Sequence, residues 1–363
     1  MKNVSFRNNI YATIFGCLIS FAFLEVCLRI AEYSIYKNNS SAQYKIYNNI
    51  YSDERSESYV FHHKKNINVK LQGDNTSYSF VTDSYGFRGE DKKHQYSESV
   101  IFLGDSIVAG AGVENNEIMN SIFEQKTGIS TINFGVGSYN TAHAYNLLKS
   151  KYQKDFNTKL IILGYCLNDG PMNTFSMYFD PNNSNWKFFK FLSNESIANN
   201  EIDSKEDFKK NNTSIINIKR WLYKNVSTYQ LISNLKKTIQ NRENYLYPSN
   251  DLTESDLAYT RAHFADIKNF AKSINSRFVV VLIPSESQIK AKEIIYKELQ
   301  QSAIVDILKD LEIDYLDLFY SFKELHLKNP NVRYFWDDIH PNSAGHKFIG
   351  ETISDSLKTR IKL

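Results

Sequence analysis

The chain alternates short apolar runs with longer segments in which apolar residues recur every three or four positions. The short runs predict five buried strands, at Val100–Leu103, Ser130–Phe134, Leu160–Leu163, Phe278–Ile283 and Asp314–Leu318. Between and after these strands, apolar residues that recur every three or four positions predict helices at Glu117–Lys126, Thr141–Tyr152, Glu254–Ile274, Ser287–Leu311 and Ser343–Leu357. Strands that alternate with helices favour an α/β fold with a parallel sheet covered on both faces.

Two segments stand apart from this alternation. Residues 31–97 form a polar lead-in region in which Val69–Gln72 and Tyr78–Val81 alternate apolar and polar positions, which predicts short strands. Residues 170–252 interrupt the catalytic region expected over residues 98–360 with an aromatic-rich insertion. The insertion follows a loop that we expect at the site, so it could cover the site or stack on sugar rings. Alternatively, its aromatic residues form a small core of their own.

The N-terminus carries the longest apolar run, from Ile10 to Leu28. As a helix it would reach roughly 28 Å, about the thickness of the hydrocarbon core of a bilayer. Glu25 and Arg29 are four residues apart and could pair near the interface. The run predicts a single-pass anchor within residues 1–30, with a cleaved signal peptide or a buried core helix as alternatives. A short N-terminal tail usually stays cytoplasmic, so we expect a periplasmic or extracellular catalytic domain bound to the membrane through this helix.

Composition narrows the classes of function. The 43 basic and 40 acidic residues nearly balance, and no dense Lys/Arg run suggests a nucleic-acid partner. Cys17 and Cys27 lie in the apolar run, far from Cys166, so no disulfide framework is expected and Cys166 is interpreted as a small buried hydrophobe. The histidines are scattered without ligand spacing, and the sequence predicts neither a metal site nor a cofactor.

Three residues could carry hydrolytic chemistry. The run Ile101–Gly104 predicts a buried strand that leads through Asp105 into Ser106 and then a helix, which would place the hydroxyl near backbone amides. Asp337 lies three residues before His340. Together they provide a hydroxyl nucleophile, an imidazole base and a carboxylate that holds the imidazole tautomer. Asp338 is the alternative carboxylate, although the longer spacing of Asp337 suits a single loop turn better.

Four sequence blocks resemble those of the SGNH (GDSL-type) hydrolases, in the same order, across about residues 98–357: Gly104–Ser106, Asn133–Val136, Asn168–Asp169 and Asp337–Pro341. The resemblance implies a flavodoxin-like, three-layer α/β/α domain with Ser106 as nucleophile, His340 as base and Asp337 as its partner. It also implies an oxyanion hole formed by the N–H of Ser106, a backbone N–H of the second block and the side chain of Asn168.

The second and third blocks depart from the family pattern. The family usually has glycine at the position of Ser138, whereas this chain has glycine one residue earlier, at Gly137. Any residue except proline retains its N–H, so either residue could provide the donor, and we prefer Ser138. In the third block Gly164 stands four residues before Asn168 rather than two.

These features favour a serine esterase that removes acyl groups, preferentially acetyl, from an envelope or extracellular glycan. An acyltransferase would use the same residues and pass the acyl group to a sugar. A noncatalytic surface or assembly protein on a hydrolase fold is a third interpretation. Two nearby residues are expected to lie outside the chemistry: His346 at the surface, and Arg88 in a structural ion pair rather than bound to a substrate carboxylate.

Overall fold

The computed structural model describes residues 50–51, 62–72, 77–91, 98–172, 175–180, 185–190 and 252–360, together with the helical positions 11, 13, 15–16, 20 and 24–27. The chain divides into two compact units, one comprising Met1–Lys45 and Glu201–Tyr245, the other Ile46–Asn200 and Leu246–Leu363. In the part of the chain that is described, no helix is both long and apolar enough to cross a membrane. Most of the predicted anchor and most of the predicted insertion lie outside the described residues.

The second unit contains all nine described strands and its own helices. The strands are β1 (Asn68–Gln72), β2 (Ser77–Val81), β3 (Ser99–Gly104), β4 (Ser130–Gly135), β5 (Thr158–Cys166), β6 (Phe175–Asp180), β7 (Asn185–Lys190), β8 (Arg277–Ile283) and β9 (Asp314–Asp317). The helices are α1 (Met119–Thr127), α2 (Thr141–Lys151), α3 (Asp169–Met172), α4 (Glu254–Ser273), α5 (Glu286–Lys290), α6 (Gln300–Asp310), α7 (Phe319–Lys328) and α8 (Ser343–Arg360).

The central sheet has the order β4-β3-β5-β8-β9, and all its strand pairs are parallel. Numbered along the chain, this order is 2-1-3-4-5, the flavodoxin-like arrangement of a doubly wound sheet. The five-stranded parallel sheet predicted from the apolar runs is therefore confirmed. Its order reverses between β3 and β5, and ligands of such sheets bind beyond the carboxyl ends of the strands at this point.

Alternate residues of the central strands enter two separate cores. In β3, Ile101 and Leu103 pack with buried residues of α2, α4 and α6, whereas Val100 and Phe102 pack with those of α1, α7 and α8. All four side chains are at most 1% exposed. Burial on both faces explains why these strands read as continuous apolar runs rather than as alternating patterns. The result is three layers, with helices on either side of the sheet.

Between β8 and α8 the helices differ from the prediction in two places. The single helix expected over Ser287–Leu311 is two helices, α5 and α6, with a short 3-10 turn at Tyr296–Glu298 between them. The backbone becomes extended at Ala291, where α5 ends, and again at Leu299, which precedes α6. Helix α7, which begins directly after Leu318, was not predicted.

The described part of the lead-in region belongs to the same unit. The two predicted short strands are β1 and β2, which pair as an antiparallel hairpin with Lys70 opposite Ser79. Arg88 is 3% exposed and donates to the carbonyls of Ser79 (3.0 Å) and Val113 (2.9 Å). Its role is thus structural, but its hydrogen-bond partners here are carbonyl groups rather than the expected carboxylate. In the insertion, β6 and β7 form a second antiparallel hairpin.

Candidate active site

At the carboxyl end of β3, the turn that carries Ser106 lies very close to the sheet. Gly104 has a φ of 156°, and a Cβ at this position would lie 2.6 Å from Cγ2 of Val108 and 2.9 Å from the carbonyl oxygen of Gly164. Only glycine fits such an approach. The chain therefore leaves the sheet sharply and returns Val108 to the core, with Ser106 half-buried at the turn.

The segment after Ser106 is a run of tight turns instead of the expected helix. The Asp105 carboxylate accepts the N–H of Ile107 at 2.8 Å, the Asp105 carbonyl accepts the N–H of Ala109 at 2.9 Å, and the Ser106 carbonyl accepts the N–H of Ala111 at 3.0 Å. The first regular helix, α1, begins only at Met119. The position of Ser106 therefore depends on local hydrogen bonds within the turn and not on the N-terminus of a helix.

His340 comes from the loop between α7 and α8. The loop is closed by an isolated bridge between Phe335 and Pro341, and the N–H of Trp336 donates to the carbonyl of His340 at 2.8 Å. Asp337 lies inside this loop, where its Oδ1 accepts the N–H groups of Ile339 (2.9 Å) and His340 (2.8 Å). One carboxylate oxygen thus holds the loop backbone and leaves the other for the imidazole.

The structure places Ser106, His340 and Asp337 in hydrogen-bonding contact, in that order. Nε2 of His340 lies 2.9 Å from Oγ of Ser106, and Nδ1 of His340 lies 2.8 Å from Oδ2 of Asp337. Both distances are within hydrogen-bonding range. With the proton on Nδ1 donated to Asp337, Nε2 is free to accept the hydroxyl proton of Ser106. The arrangement can activate a serine for attack on a carbonyl carbon.

Asp337 and His340 each stabilise the charged form of the other. Burial raises the pKa of Asp337, but the hydrogen bonds and charge of His340 outweigh it and hold the pKa well below its usual range. Burial lowers the pKa of His340, but the hydrogen bond and charge of Asp337, with a further contribution from Asp105, give a net rise above the usual value. Asp337 therefore stays ionised, and His340 accepts a proton more readily than a free imidazole.

Asp338, the alternative carboxylate, faces away from His340. Its Oδ1 accepts the N–H of Ser287 at 2.8 Å, its Oδ2 accepts the Ser287 hydroxyl at 3.1 Å, and its carbonyl accepts the N–H of Glu286 at 2.7 Å. These donors lie in the first turn of α5. Asp338 therefore attaches the catalytic loop to α5, and the choice of Asp337 as the partner of His340 agrees with this geometry.

The second block lies beside Ser106 through Gly137. A Cβ on Gly137 would lie 4.0 Å from Cβ of Ser106. Ser138 is exposed and has a φ of 65°, in the left-handed region that favours glycine. The resemblance expects glycine at this position, and the backbone conformation explains that preference. The N–H of Ser138, the preferred backbone donor, thus belongs to the residue directly after Gly137, which approaches the nucleophile.

Asn168 follows β5 and completes the same edge of the sheet. Because β3 lies between β4 and β5, the loops that carry Gly137 and Asn168 flank the Ser106 turn. Burial raises the pKa of Asp105, and a hydrogen bond from the Asn168 side chain offsets a small part of this rise. Oδ1 of Asn168 is buried and has no hydrogen-bond partner in the described part of the chain. Asn168 therefore interacts with Asp105, the residue that directly precedes the nucleophile.

One residue of the site was missed and one was misplaced by the sequence analysis. The hydroxyl of Tyr51, from the lead-in region, would lie 2.7 Å from a Cβ on Gly137. His346, expected at the surface, is 0% exposed, and burial lowers its pKa to about 3. Its spacing from Ile349 and Ile353 places it on the buried stripe of α8, a signal present in the sequence. Cys166 is 2% exposed, as expected.

A serine, a histidine and an aspartate in series, at the switch point of a doubly wound parallel sheet, have the geometry of a serine hydrolase. Residues 100–353 match the family described as GDSL-like Lipase/Acylhydrolase. This match covers well over half of the chain. The chain belongs to the GDSL-like lipase/acylhydrolase family and is an esterase-type hydrolase.

Several solved structures are similar to this chain at low identity, whereas no curated protein sequence matches it. An acetyl xylan esterase, AlAXEase, is 13% identical over 71% of this chain and 99% of its own, with a TM-score of 0.42. A lipase/acylhydrolase from Enterococcus faecalis is 12% identical over 73% and 97%, with a TM-score of 0.39. A two-domain esterase (CEX) active on acetylated mannans is 11% identical over 74% and 51%, with a TM-score of 0.40.

Proposed function

We propose that this protein hydrolyses acyl esters, preferentially acetyl esters, on an envelope or extracellular glycan. One observation carries the proposal: the continuous series from Oγ of Ser106 through His340 to Asp337, with both contacts at 2.9 Å or less. The glycan and the outward location rest on the sequence, namely the apolar N-terminal run and the aromatic-rich insertion.

The first half-reaction forms an acyl-enzyme. Oγ of Ser106 attacks the ester carbonyl carbon while Nε2 of His340 takes the hydroxyl proton, and Asp337 stabilises the resulting imidazolium. The carbonyl oxygen becomes an oxyanion, for which the N–H of Ser106, a backbone N–H of Gly137 or Ser138 and the Asn168 side chain provide donors. The intermediate collapses as the imidazolium gives its proton to the leaving sugar oxygen.

The second half-reaction releases the acid. A water molecule loses a proton to His340 and attacks the acyl carbon, and the protonated histidine then returns that proton to Oγ of Ser106. The Asp337 and His340 side chains are 57% and 26% exposed, so water can reach this acid–base pair, which supports hydrolysis over transfer to a sugar. Transfer instead requires that water be kept from the acyl-enzyme.

The test compares the full-length chain with Ser106→Ala. We expect the full-length chain to release 4-nitrophenol from 4-nitrophenyl acetate and acetate from O-acetylated oligosaccharides, and Ser106→Ala to lose both activities. A fluorophosphonate probe should label the full-length chain at Ser106 and leave the variant unlabelled. Absence of both turnover and labelling would reject the proposal. Acetyl groups recovered on an added sugar acceptor, rather than as free acetate, would identify a transferase.

A further inference from the structure

The hydroxyl of Tyr51 lies against Gly137, the residue that approaches the nucleophile, although Tyr51 precedes the family match by a long stretch of sequence. The point that a Cβ on Gly137 would occupy is 2.7 Å from the Tyr51 hydroxyl and 4.0 Å from Cβ of Ser106. Among the described residues, these are the two nearest heavy atoms to that point outside the immediate chain neighbours of Gly137. The absent side chain of Gly137 thus leaves a space that the Tyr51 hydroxyl and the side chain of Ser106 both border.

The position of Tyr51 is fixed by contacts on both sides. It forms an antiparallel bridge with His63, and the two rings stack with centroids 5.4 Å apart. The preceding residue, Ile50, is 3% exposed, and its carbonyl accepts the N–H of Lys64 at 2.7 Å. The ring of Tyr51 is therefore anchored between the lead-in region and the catalytic core.

His63, the residue whose ring stacks on Tyr51, is buried and uncharged. Its side chain is 2% exposed and meets the edge of Phe80 with centroids 4.9 Å apart. Burial, and then the charges of His62 and Arg88, hold the pKa of His63 well below its usual value. The stacked imidazole therefore stays uncharged near neutral pH, and the orientation of Tyr51 does not change with the protonation of its neighbour.

We propose that Tyr51 is a catalytic residue whose phenol hydroxyl donates a hydrogen bond to the carbonyl oxygen of the bound ester. The hydroxyl lies against Gly137, in the block that also provides a backbone donor for the oxyanion, so it reaches the side of the site where negative charge develops. A phenol provides one O–H donor at neutral pH. This inference rests on the proposed esterase activity, and it makes the lead-in region part of the active site.

Tyr51→Phe tests this role because it removes the hydroxyl and keeps the ring that stacks on His63. If the hydroxyl acts on the transition state, kcat for 4-nitrophenyl acetate should fall by about ten-fold or more while KM changes by less than about two-fold. The thermal unfolding midpoint should stay within about 2 °C. Tyr85→Phe is the matched control, since Tyr85 belongs to the same region and its ring packs on Phe87 and Phe156. Its kcat should remain within about two-fold of the unmodified chain.

A second pair of variants tests the geometry directly. A methyl group on Gly137 would meet the Tyr51 hydroxyl, so Gly137→Ala should lower kcat further in the unmodified background than in the Tyr51→Phe background. Equal kcat for Tyr51→Phe and the unmodified enzyme, or strictly multiplicative effects of the two substitutions, would overturn the inference and leave the esterase proposal standing. An unmodified chain with neither turnover nor labelling at Ser106 would overturn both.

Discussion

The role of Asp337 can be separated from that of its neighbour by one substitution at each position. In Asp337→Asn, the remaining oxygen can still accept the N–H groups of Ile339 and His340, so the loop should keep its shape. The new amide would then present an N–H to Nδ1 of His340 in place of a carboxylate oxygen. That contact favours the tautomer with its proton on Nε2, which cannot accept the proton of Ser106.

The expected loss follows from the geometry and from the exposure of the site. In a serine protease, the corresponding change lowers kcat by about four orders of magnitude. Here the Asp337 side chain is 57% exposed, so water can reach the imidazole and partly replace the missing acceptor. We therefore expect kcat to fall by about 10²- to 10³-fold, which corresponds to about 3–4 kcal/mol of transition-state stabilisation.

Asp338→Asn is the matched control because it removes the same charge one residue away. An asparagine oxygen can still accept the N–H of Ser287, so the attachment of the loop to α5 should weaken without breaking. We expect kcat to fall by about five-fold at most, with a loss of stability of about 1 kcal/mol or less. Steady-state kinetics with 4-nitrophenyl acetate and thermal unfolding of both variants provide the comparison.

A larger loss in kcat for Asp338→Asn than for Asp337→Asn would refute the assignment, provided that both variants are folded. Equal losses in kcat for the two variants would also count against it, because the general charge of the loop would then explain the effect. Only a large difference between the two positions agrees with a specific contact between Asp337 and Nδ1 of His340.

Three further predictions concern the same site. Because the pKa of His340 is raised and catalysis needs its neutral form, kcat/KM should fall as the pH drops through a midpoint above 6.5. Asp337→Asn should shift that midpoint down, and a profile of kcat/KM over about pH 5 to 9 checks both expectations. Asn168→Ala should lower kcat by about 10²- to 10³-fold with little change in KM, and an unchanged kcat would exclude its side chain from the oxyanion hole. Ser138→Gly should keep activity and stability, whereas Ser138→Val should lose about 1 kcal/mol or more on chemical denaturation, because a β-branched residue resists the positive φ.

The sheet and the series of catalytic residues could be predicted because their signals are local. A strand such as β3, buried on both faces, must be apolar throughout, and the chemistry follows directly at its carboxyl end. Asp337 and His340 are close in sequence, so their contact depends on a single loop turn. The breaks between helices were less visible, since the residues from Ala291 to Leu299 contain neither Gly nor Pro to end a helix.

Tyr51 could not be found in the same way, because its role depends on a contact between distant segments. Nothing in the residues around Tyr51 distinguishes it from the many other tyrosines of the polar lead-in region. Its position follows from the bridge to His63 and from the space beside Gly137, both of which exist only in the folded chain. Sequence patterns report periodicity and local motifs, and a single long-range contact leaves no periodic trace.

The lead-in region shares its core with the family domain. Phe87 is 1% exposed and stacks on Phe134 of β4 with ring centroids 4.1 Å apart, inside the core that covers one face of the sheet. Arg88 holds the carbonyl of Val113, which follows the nucleophile turn, and its guanidinium lies 4.1 Å from the centre of the Phe80 ring. Removing this region would expose Phe134 and leave a buried carbonyl without its donor, both of which destabilise the fold. The family match begins at residue 100, but the compact unit that supports the chemistry begins at Ile46.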